Sequence, residues 1–187
     1  MGVAQAVNMQ QNAEIAYRGA LQEARNRHNE QAIKELESIA PYPPPTADLT
    51  KMSIANNWAG ELGTQPSGPG FTDVKRILSA VVSAPEYSLV DDYGFIRSPV
   101  FSATILLPEI MKVDLAKLGL DFQAPVFFFE GRHDPYCPPS LIWEYSQTIK
   151  APQKEFIWFE NSGHFPFFEE QQKFRDELVQ KVLPLAH

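Results

Sequence analysis

An aspartate and a histidine, each placed just after a short apolar segment, are the residues of this chain best suited to carry out chemistry. Asp134 follows the run that begins Phe127-Phe128-Phe129, and His164 follows an aromatic segment and the polar residues 161–163. An acid followed along the chain by a histidine is the order in which the last two members of a Ser-Asp-His triad occur when the serine comes first. The pattern predicts hydrolysis by a nucleophile, a general base and an orienting acid.

The two residue types fit those roles. Histidine titrates near neutral pH, so it can take a proton from a nucleophile and return it to a leaving group. A buried aspartate holds the imidazole in the correct tautomer and stabilises the imidazolium. A serine hydroxyl is a weak nucleophile without such a base. We therefore predict Asp134 and His164 as catalytic residues.

The nucleophile of such a triad is not evident in this sequence. No G-x-S-x-G motif occurs, and Ser67 lies in a Gln-Pro-Ser-Gly-Pro-Gly segment that follows no predicted strand. We expect the nucleophile to lie outside the chain. We also expect the chain by itself to have no hydrolase activity, because it would lack both the nucleophile and the oxyanion-binding loop.

Other candidate residues receive weaker support. Glu130 ends the same apolar segment as Asp134 and is the alternative acid. Cys137, the only cysteine, could act as a nucleophile with His164, but it shares the loop of the acid, so we expect a structural role. Three further histidines lack comparable placement and are expected in solvent: His28, His133 and His187. The spacing predicts no metal site, and no cofactor is expected.

The elements around the pair predict how the two residues meet. Residues 126–129 are typical of a strand covered on both faces, and residues 155–159 form a second, aromatic strand. Between them a helix is predicted from Ser140 to Ile149, begun by Pro138-Pro139. A final helix is predicted over 169–182. Strand, helix and strand make parallel neighbours, whose carboxyl ends share one edge of the sheet.

The preceding part of the chain has helical periodicity. A helix from about 12 to 40 is interrupted at Asn29, a predicted N-cap, and a second helix, capped by Thr46 or Asp48, runs to about residue 62. Residues 60–70 read as a loop, and 71–115 as short helices separated by prolines at 85, 99 and 108. No strand is predicted before residue 124. The predicted fold class is α/β, with a helical cap over 1–117 and a β-α-β-α core segment over 118–187 of a parallel sheet.

Composition limits the class of partner. The chain has 187 residues, 44% of them hydrophobic and 21% charged, with a net charge of −7. An acidic chain is a poor ligand for nucleic acid or an anionic membrane surface. We see no transmembrane run and no signal peptide, and one cysteine permits no intrachain disulfide, so we expect a cytoplasmic protein.

The segments quoted above resemble the α/β-hydrolase superfamily, and within it the proline iminopeptidase-like serine hydrolases. Residues 131–134, Gly-Arg-His-Asp, resemble the acid motif of that family, and residues 159–170 resemble its histidine motif and the helix that follows. Residues 3–10 are similar to the segment that leads into the cap. The resemblance spans nearly the whole chain.

The resemblance implies a partial α/β-hydrolase fold, namely the cap and the last two strands of a longer or truncated enzyme. The implied activity of the complete enzyme is release of an N-terminal residue from a peptide, or related ester or amide hydrolysis. The implied partner is a small peptide or ester substrate, if an N-terminal half completes the chain. A second hypothesis is a non-catalytic binding or interaction module that uses the helical cap. Because residues 126–129 would have only one partner strand, we also expect self-association through an exposed sheet edge.

Overall fold

A computed structural model describes residues 1–63 and 82–185 of the chain. Its first helices are α1 (Met9–Asn26), α2 (Glu30–Ser38) and α3 (Leu49–Leu62). Each begins at a side-chain cap, because Asn8, Asn29 and Asp48 accept hydrogen bonds from the backbone N–H groups three residues onward. The predicted N-caps at Asn29 and Asp48 are confirmed.

These three helices pack through one apolar core. Tyr17 and Ala24 of α1, Leu36 of α2 and Trp58 of α3 are all buried there. The hydroxyl of Tyr17 donates to the carbonyl of Leu36 at 3.0 Å, so the one polar atom of that ring is satisfied inside the core. The spacing of apolar residues by three and four positions places them on the helix faces that pack in this core.

A long helix, α4, spans Leu89–Ile110 and begins at a capping box formed by Ser88 and Asp91. The prediction of short helices separated by prolines is wrong here, because Pro99 and Pro108 both lie within α4. A proline removes one backbone hydrogen bond from a helix, and the turns on both sides of it keep theirs. Predictions for residues 64–81 lie outside the described residues.

The sheet has three parallel strands in the order β1-β2-β3, formed by β1 (Gly2–Val3), β2 (Val126–Gly131) and β3 (Lys154–Phe159). Phe128 pairs with Gly2 on one side and with Phe156 on the other. The expectation of no strand before residue 124 is therefore wrong, since a two-residue strand is too short to show alternation. The expected open edge of β2 is also wrong at residues 128 and 129, where β1 pairs with it.

Both faces of β2 are covered. Phe127 and Phe129 point to one face, where they pack with Phe159 and the partly buried Phe174. Phe128 points to the other face and packs with Ile142. This double burial explains the continuous apolar run in the sequence.

The helices that follow the strands are α5 (Pro139–Thr148), α6 (Pro166–Glu169) and α7 (Gln171–Glu177), with a π-helical turn at Leu178–Val182 and a 3-10 turn at Leu183–Leu185. Another 3-10 turn spans Leu115–Lys117. Pro139 stands in the first turn of α5, as predicted. The single helix predicted over 169–182 is interrupted at Glu170, whose φ of −124° and ψ of 56° are not helical.

The fold class is α/β, as predicted: helices precede a β-α-β-α segment of a small parallel sheet. Residues Gly2–Val3, which lie in the range predicted as cap, form β1 and pair with β2 of the core segment. The division of the chain at residue 117 stays a prediction. None of the helices within the described ranges is long and apolar enough to cross a bilayer.

Candidate active site

Asp134 and His164 meet at the edge of the sheet where β2 and β3 end. The Nδ1 atom of His164 lies 2.8 Å from Oδ2 of Asp134, within hydrogen-bond distance. The side chain of Asp134 is 0% exposed, whereas that of His164 is 24% exposed. The buried carboxylate of Asp134 therefore contacts an imidazole that is still partly accessible to solvent.

The loop after β2 fixes the carboxylate of Asp134. Its Oδ1 accepts hydrogen bonds from the backbone N–H groups of Tyr136, at 2.8 Å, and Cys137, at 2.9 Å. An aspartate that closes its own turn in this way has one oxygen committed to the backbone. The other oxygen, Oδ2, is the one that contacts His164, so the turn sets the direction from which the acid meets the imidazole.

Two acids at the end of α6, Glu169 and the following Glu170, fix the loop that carries His164. Oε2 of Glu169 accepts from the backbone N–H of Gly163 at 2.7 Å. Oε2 of Glu170 accepts from the Ser162 hydroxyl at 2.7 Å and from the backbone N–H of Asn161 at 3.0 Å. These contacts were not predicted from the sequence, in which two consecutive acids, Glu169 and Glu170, are the signal that could have indicated them.

Gly131 brings the two loops together. A Cβ atom on Gly131 would collide with the carbonyl oxygen of Gly163 and lie 2.6 Å from that of Ser162. The end of β2 and the histidine loop thus approach more closely than any residue with a side chain would permit. In the same place the backbone N–H of His133 donates to the Ser162 carbonyl at 3.0 Å.

The imidazole of His164 contacts two aromatic rings. Tyr136 and Phe165 both contact it edge to face, with centroid distances of 5.2 and 4.7 Å. With Nδ1 bound to Asp134, Nε2 is the ring nitrogen left to take a proton from a nucleophile. The rings restrict how far the imidazole can turn away from that role.

Glu130, the alternative acid, does not contact His164. Its Oε1 accepts instead from the backbone N–H of Gln5 at 2.9 Å, and the side chain is completely buried. Burial, together with the charge of Asp134, raises the pKa of Glu130 to about 8. Between the two candidate acids, the geometry favours Asp134 as the partner of the base.

Cys137 is buried beside the pair. Burial raises the pKa of its thiol well above the usual range, and the charges of Asp134 and Glu130 raise it further. A protonated thiol is a poor nucleophile and a poor metal ligand. The structure therefore favours the structural role predicted for Cys137.

The fold also assembles three possible metal ligands that the sequence spacing did not suggest. Asp134, Cys137 and His164 each offer one ligand atom, and these atoms lie within 4.8 Å of one another. A metal bound there would displace the proton shared by Asp134 and His164. Because the acid and base are already hydrogen-bonded to each other, the arrangement fits a catalytic pair better than a metal centre.

A cavity of about 430 Å³ adjoins His164 where α1 and α3 face the site. Gly60 of α3 approaches Tyr136 of the acid loop so closely that a Cβ atom would collide with the phenol oxygen. The wall of the cavity combines aromatic, thioether and amide side chains, among them Met9, Asn12, Tyr42, Met52, Asn57 and Phe165. A cavity of this size and lining suits a small, largely apolar ligand.

The remaining predicted residues lie away from this centre. His133 was expected in solvent, but the residue is half-buried. Its Nε2 lies 3.1 Å from the carbonyl oxygen of Glu160, within hydrogen-bond distance. His28 is exposed and has a positive φ of 52°. Ser67 and His187 lie outside the described residues.

Comparison with known proteins gives one curated relative. No known family profile matches the sequence. The chain is 26% identical, over 181 residues, to the probable aminopeptidase YbaC of Bacillus subtilis strain 168. The aligned part covers 95% of this chain and 55% of the relative, so the chain spans about half the length of that protein.

Solved structures with partial similarity bear the names of hydrolases. An esterase from Exiguobacterium antarcticum is 24% identical, with a TM-score of 0.39, over 60% of this chain and 44% of its own. Acetyl xylan esterase 1 from Thermoanaerobacterium sp. is 22% identical, with a TM-score of 0.34, over 62% and 35%. An alpha/beta fold family hydrolase from Bacillus anthracis is 19% identical, with a TM-score of 0.33, over 60% and 48%.

The contact between Asp134 and His164 joins the loops that follow two neighbouring parallel strands. The two residues therefore have the geometry of an acid and a base that can act together.

Proposed function

We propose that this chain supplies the acid and the base of a serine hydrolase. The observation that carries the proposal is the 2.8 Å contact between His164 Nδ1 and Asp134 Oδ2, made where two neighbouring parallel strands end. Open α/β sheets bind their ligands at the carboxyl ends of the strands. The catalytic pair and an adjoining cavity both lie there.

In this proposal His164 acts through Nε2. It takes the proton of a serine hydroxyl as that oxygen attacks a carbonyl, and returns the proton to the leaving group. Asp134 holds the proton of Nδ1 and stabilises the imidazolium while it exists. The serine comes from outside this sequence, which contains no G-x-S-x-G motif.

The proposed reaction is aminopeptidase-like: release of an N-terminal residue from a small peptide, with proline iminopeptidase as the model activity. The similarity to a probable aminopeptidase supports the reaction class, and the family resemblance of the acid and histidine motifs supports the narrower choice. Ester or other amide substrates would use the same acid and base. The reaction needs no metal or other cofactor, and we propose a cytoplasmic location.

A fusion of this chain with part of its Bacillus relative tests this function. The part of the Bacillus relative that the chain does not span would be fused to this chain. The fusion would be assayed on aminoacyl p-nitroanilides, prolyl p-nitroanilide among them, and on p-nitrophenyl esters. We expect turnover that His164→Ala and Asp134→Asn each reduce by about 10³-fold or more. Turnover that survives His164→Ala would contradict the proposal, and a preference for esters would refute only the narrower assignment.

The alternative function, a binding module, is favoured by one specific observation. Helix α4 carries large apolar side chains that are exposed, namely Phe95, Phe101, Ile105 and Leu106. A contiguous exposed apolar surface is typical of a protein interaction site. This reading predicts that binding to a partner protein depends on residues of α4 and is unchanged by His164→Ala.

A further inference from the structure

Glu130 is a buried acid that takes no part in the proton transfers of the proposed reaction. It is the penultimate residue of the apolar strand β2 and is 0% exposed. No lysine or arginine side chain of the described residues pairs with it. Its Oε1 accepts from the backbone N–H of Gln5, and its Oε2 is sealed from solvent without a hydrogen-bond partner among the described residues. An ionised carboxylate in such a place would be very costly.

The surroundings of Glu130 contain negative and neutral groups. Strand alternation places its side chain on the face of the sheet shared by Phe128, Val7 and Cys137. From the acid loop, the charge of Asp134 raises the pKa of Glu130. From the β1 side, the backbone N–H of Gln5 donates to Glu130 and lowers its pKa, by less than burial raises it. From α1, the neutral Asn12 reaches the thiol of Cys137 on the same face.

We propose that Glu130 is held as a neutral carboxylic acid and acts as a positioning residue for the Asp134–His164 pair. One oxygen anchors the segment after β1 to the end of β2, through Gln5. In the protonated state Glu130 places no second charge beside Asp134, the carboxylate that contacts His164. Glu169, at the end of α6, is a further carboxyl that acts on both Asp134 and His164. Above the titration range of Glu130 a second buried negative charge develops beside Asp134 and perturbs the imidazole. The role in catalysis rests on the proposed function, whereas the protonation state does not.

The direct test observes the carboxyl group itself. The full chain would be labelled with ¹³C-glutamate, and the Cδ resonances followed from pH 3 to pH 10, with Glu130→Gln identifying the signal of Glu130. We expect that signal to titrate near pH 8, as its raised pKa implies, well above the ordinary glutamate value of 4.5. A Glu130 signal that titrates with the surface glutamates would overturn the proposal. Whether any Cδ signal titrates near pH 8 is read in wild-type protein, so the test survives if Glu130→Gln folds poorly.

A second readout separates positioning from simple packing. The ring ¹⁵N shifts of His164 would be followed over the same range in wild type, in Glu130→Gln and in Glu109→Gln, whose carboxylate is exposed on α4 and paired with Lys112. We expect an inflection near pH 8 in wild type and in Glu109→Gln, and its absence in Glu130→Gln. An inflection that persists in Glu130→Gln would refute the coupling. Neither result depends on turnover, so failure here leaves the proposed hydrolase function standing.

Discussion

Nδ1 of His164 and Oδ2 of Asp134 lie 2.8 Å apart although the residues belong to loops after different strands. Three features of the structure produce this contact. The parallel register of β2 and β3 ends both strands at the same edge, the turn at Asp134 directs its free oxygen, and two acids hold the backbone of the histidine loop.

Gly131→Ala should displace the histidine loop. The added methyl group would collide with the carbonyl oxygen of Gly163, which is backbone and cannot rotate away. We expect a loss of about 1–3 kcal/mol in the free energy of unfolding, the usual cost of overpacking. Urea titration followed by circular dichroism measures this loss.

Gly19→Ala is the matched control for that substitution. Gly19 lies in α1, and nothing lies within 4 Å of the position its Cβ would take. Alanine in a helix is favoured over glycine by about 0.5–1 kcal/mol. The control should be neutral or stabilising, and equal destabilisation by both variants would contradict the close approach at Gly131.

Glu170→Ala should loosen the loop that carries His164. The substitution removes the acceptor of the Ser162 hydroxyl and of the Asn161 backbone N–H. Two lost charge-assisted hydrogen bonds predict a cost of about 1–3 kcal/mol. We also expect faster amide exchange at residues 161–163. Glu144→Ala, a change at an exposed position of α5, should alter neither quantity, and unchanged exchange in Glu170→Ala would show that the loop needs no clamp.

Much of this arrangement was predictable from sequence, because short-range signals were strong. The apolar run of β2, the caps at Asn29 and Asp48 and the order of Asp134 and His164 all come from local pattern. The missed features depend on distant contacts. β1 is too short to show alternation, and Glu130 and Glu170 owe their roles to partners that only the folded chain supplies.

Glu130 should make the stability of the chain depend on pH. Its pKa is raised to about 8 in the folded state, so folding favours the protonated acid. This contribution is fully present below the unfolded pKa of about 4.5 and declines as pH rises toward 8, by on the order of 1 kcal/mol per pH unit. Wild type should lose stability across this window relative to Glu130→Gln. Parallel pH dependence of the two proteins, measured by urea unfolding, would contradict the buried neutral acid.

The chain should also associate with itself. The exposed apolar residues of α4 provide the surface for this association. The edge of β2 contributes less than the sequence suggested, because β1 pairs with part of it. We expect the mean mass from light scattering to fall on dilution, and Phe101→Ser with Leu106→Ser to reduce association without unfolding the chain. A constant monomer mass at all concentrations would refute this prediction.

Labelling with a fluorophosphonate probe tests the central claim most directly, because the probe reacts preferentially with an activated serine. We predict no labelling of this chain alone. We predict labelling of its fusion with the remaining part of the Bacillus relative, at a serine outside this sequence, and loss of that labelling in His164→Ala and its strong reduction in Asp134→Asn. Labelling of the isolated chain, or labelling of the fusion that is unaffected by His164→Ala, would contradict the assignment of Asp134 and His164 as the acid and base of a serine hydrolase.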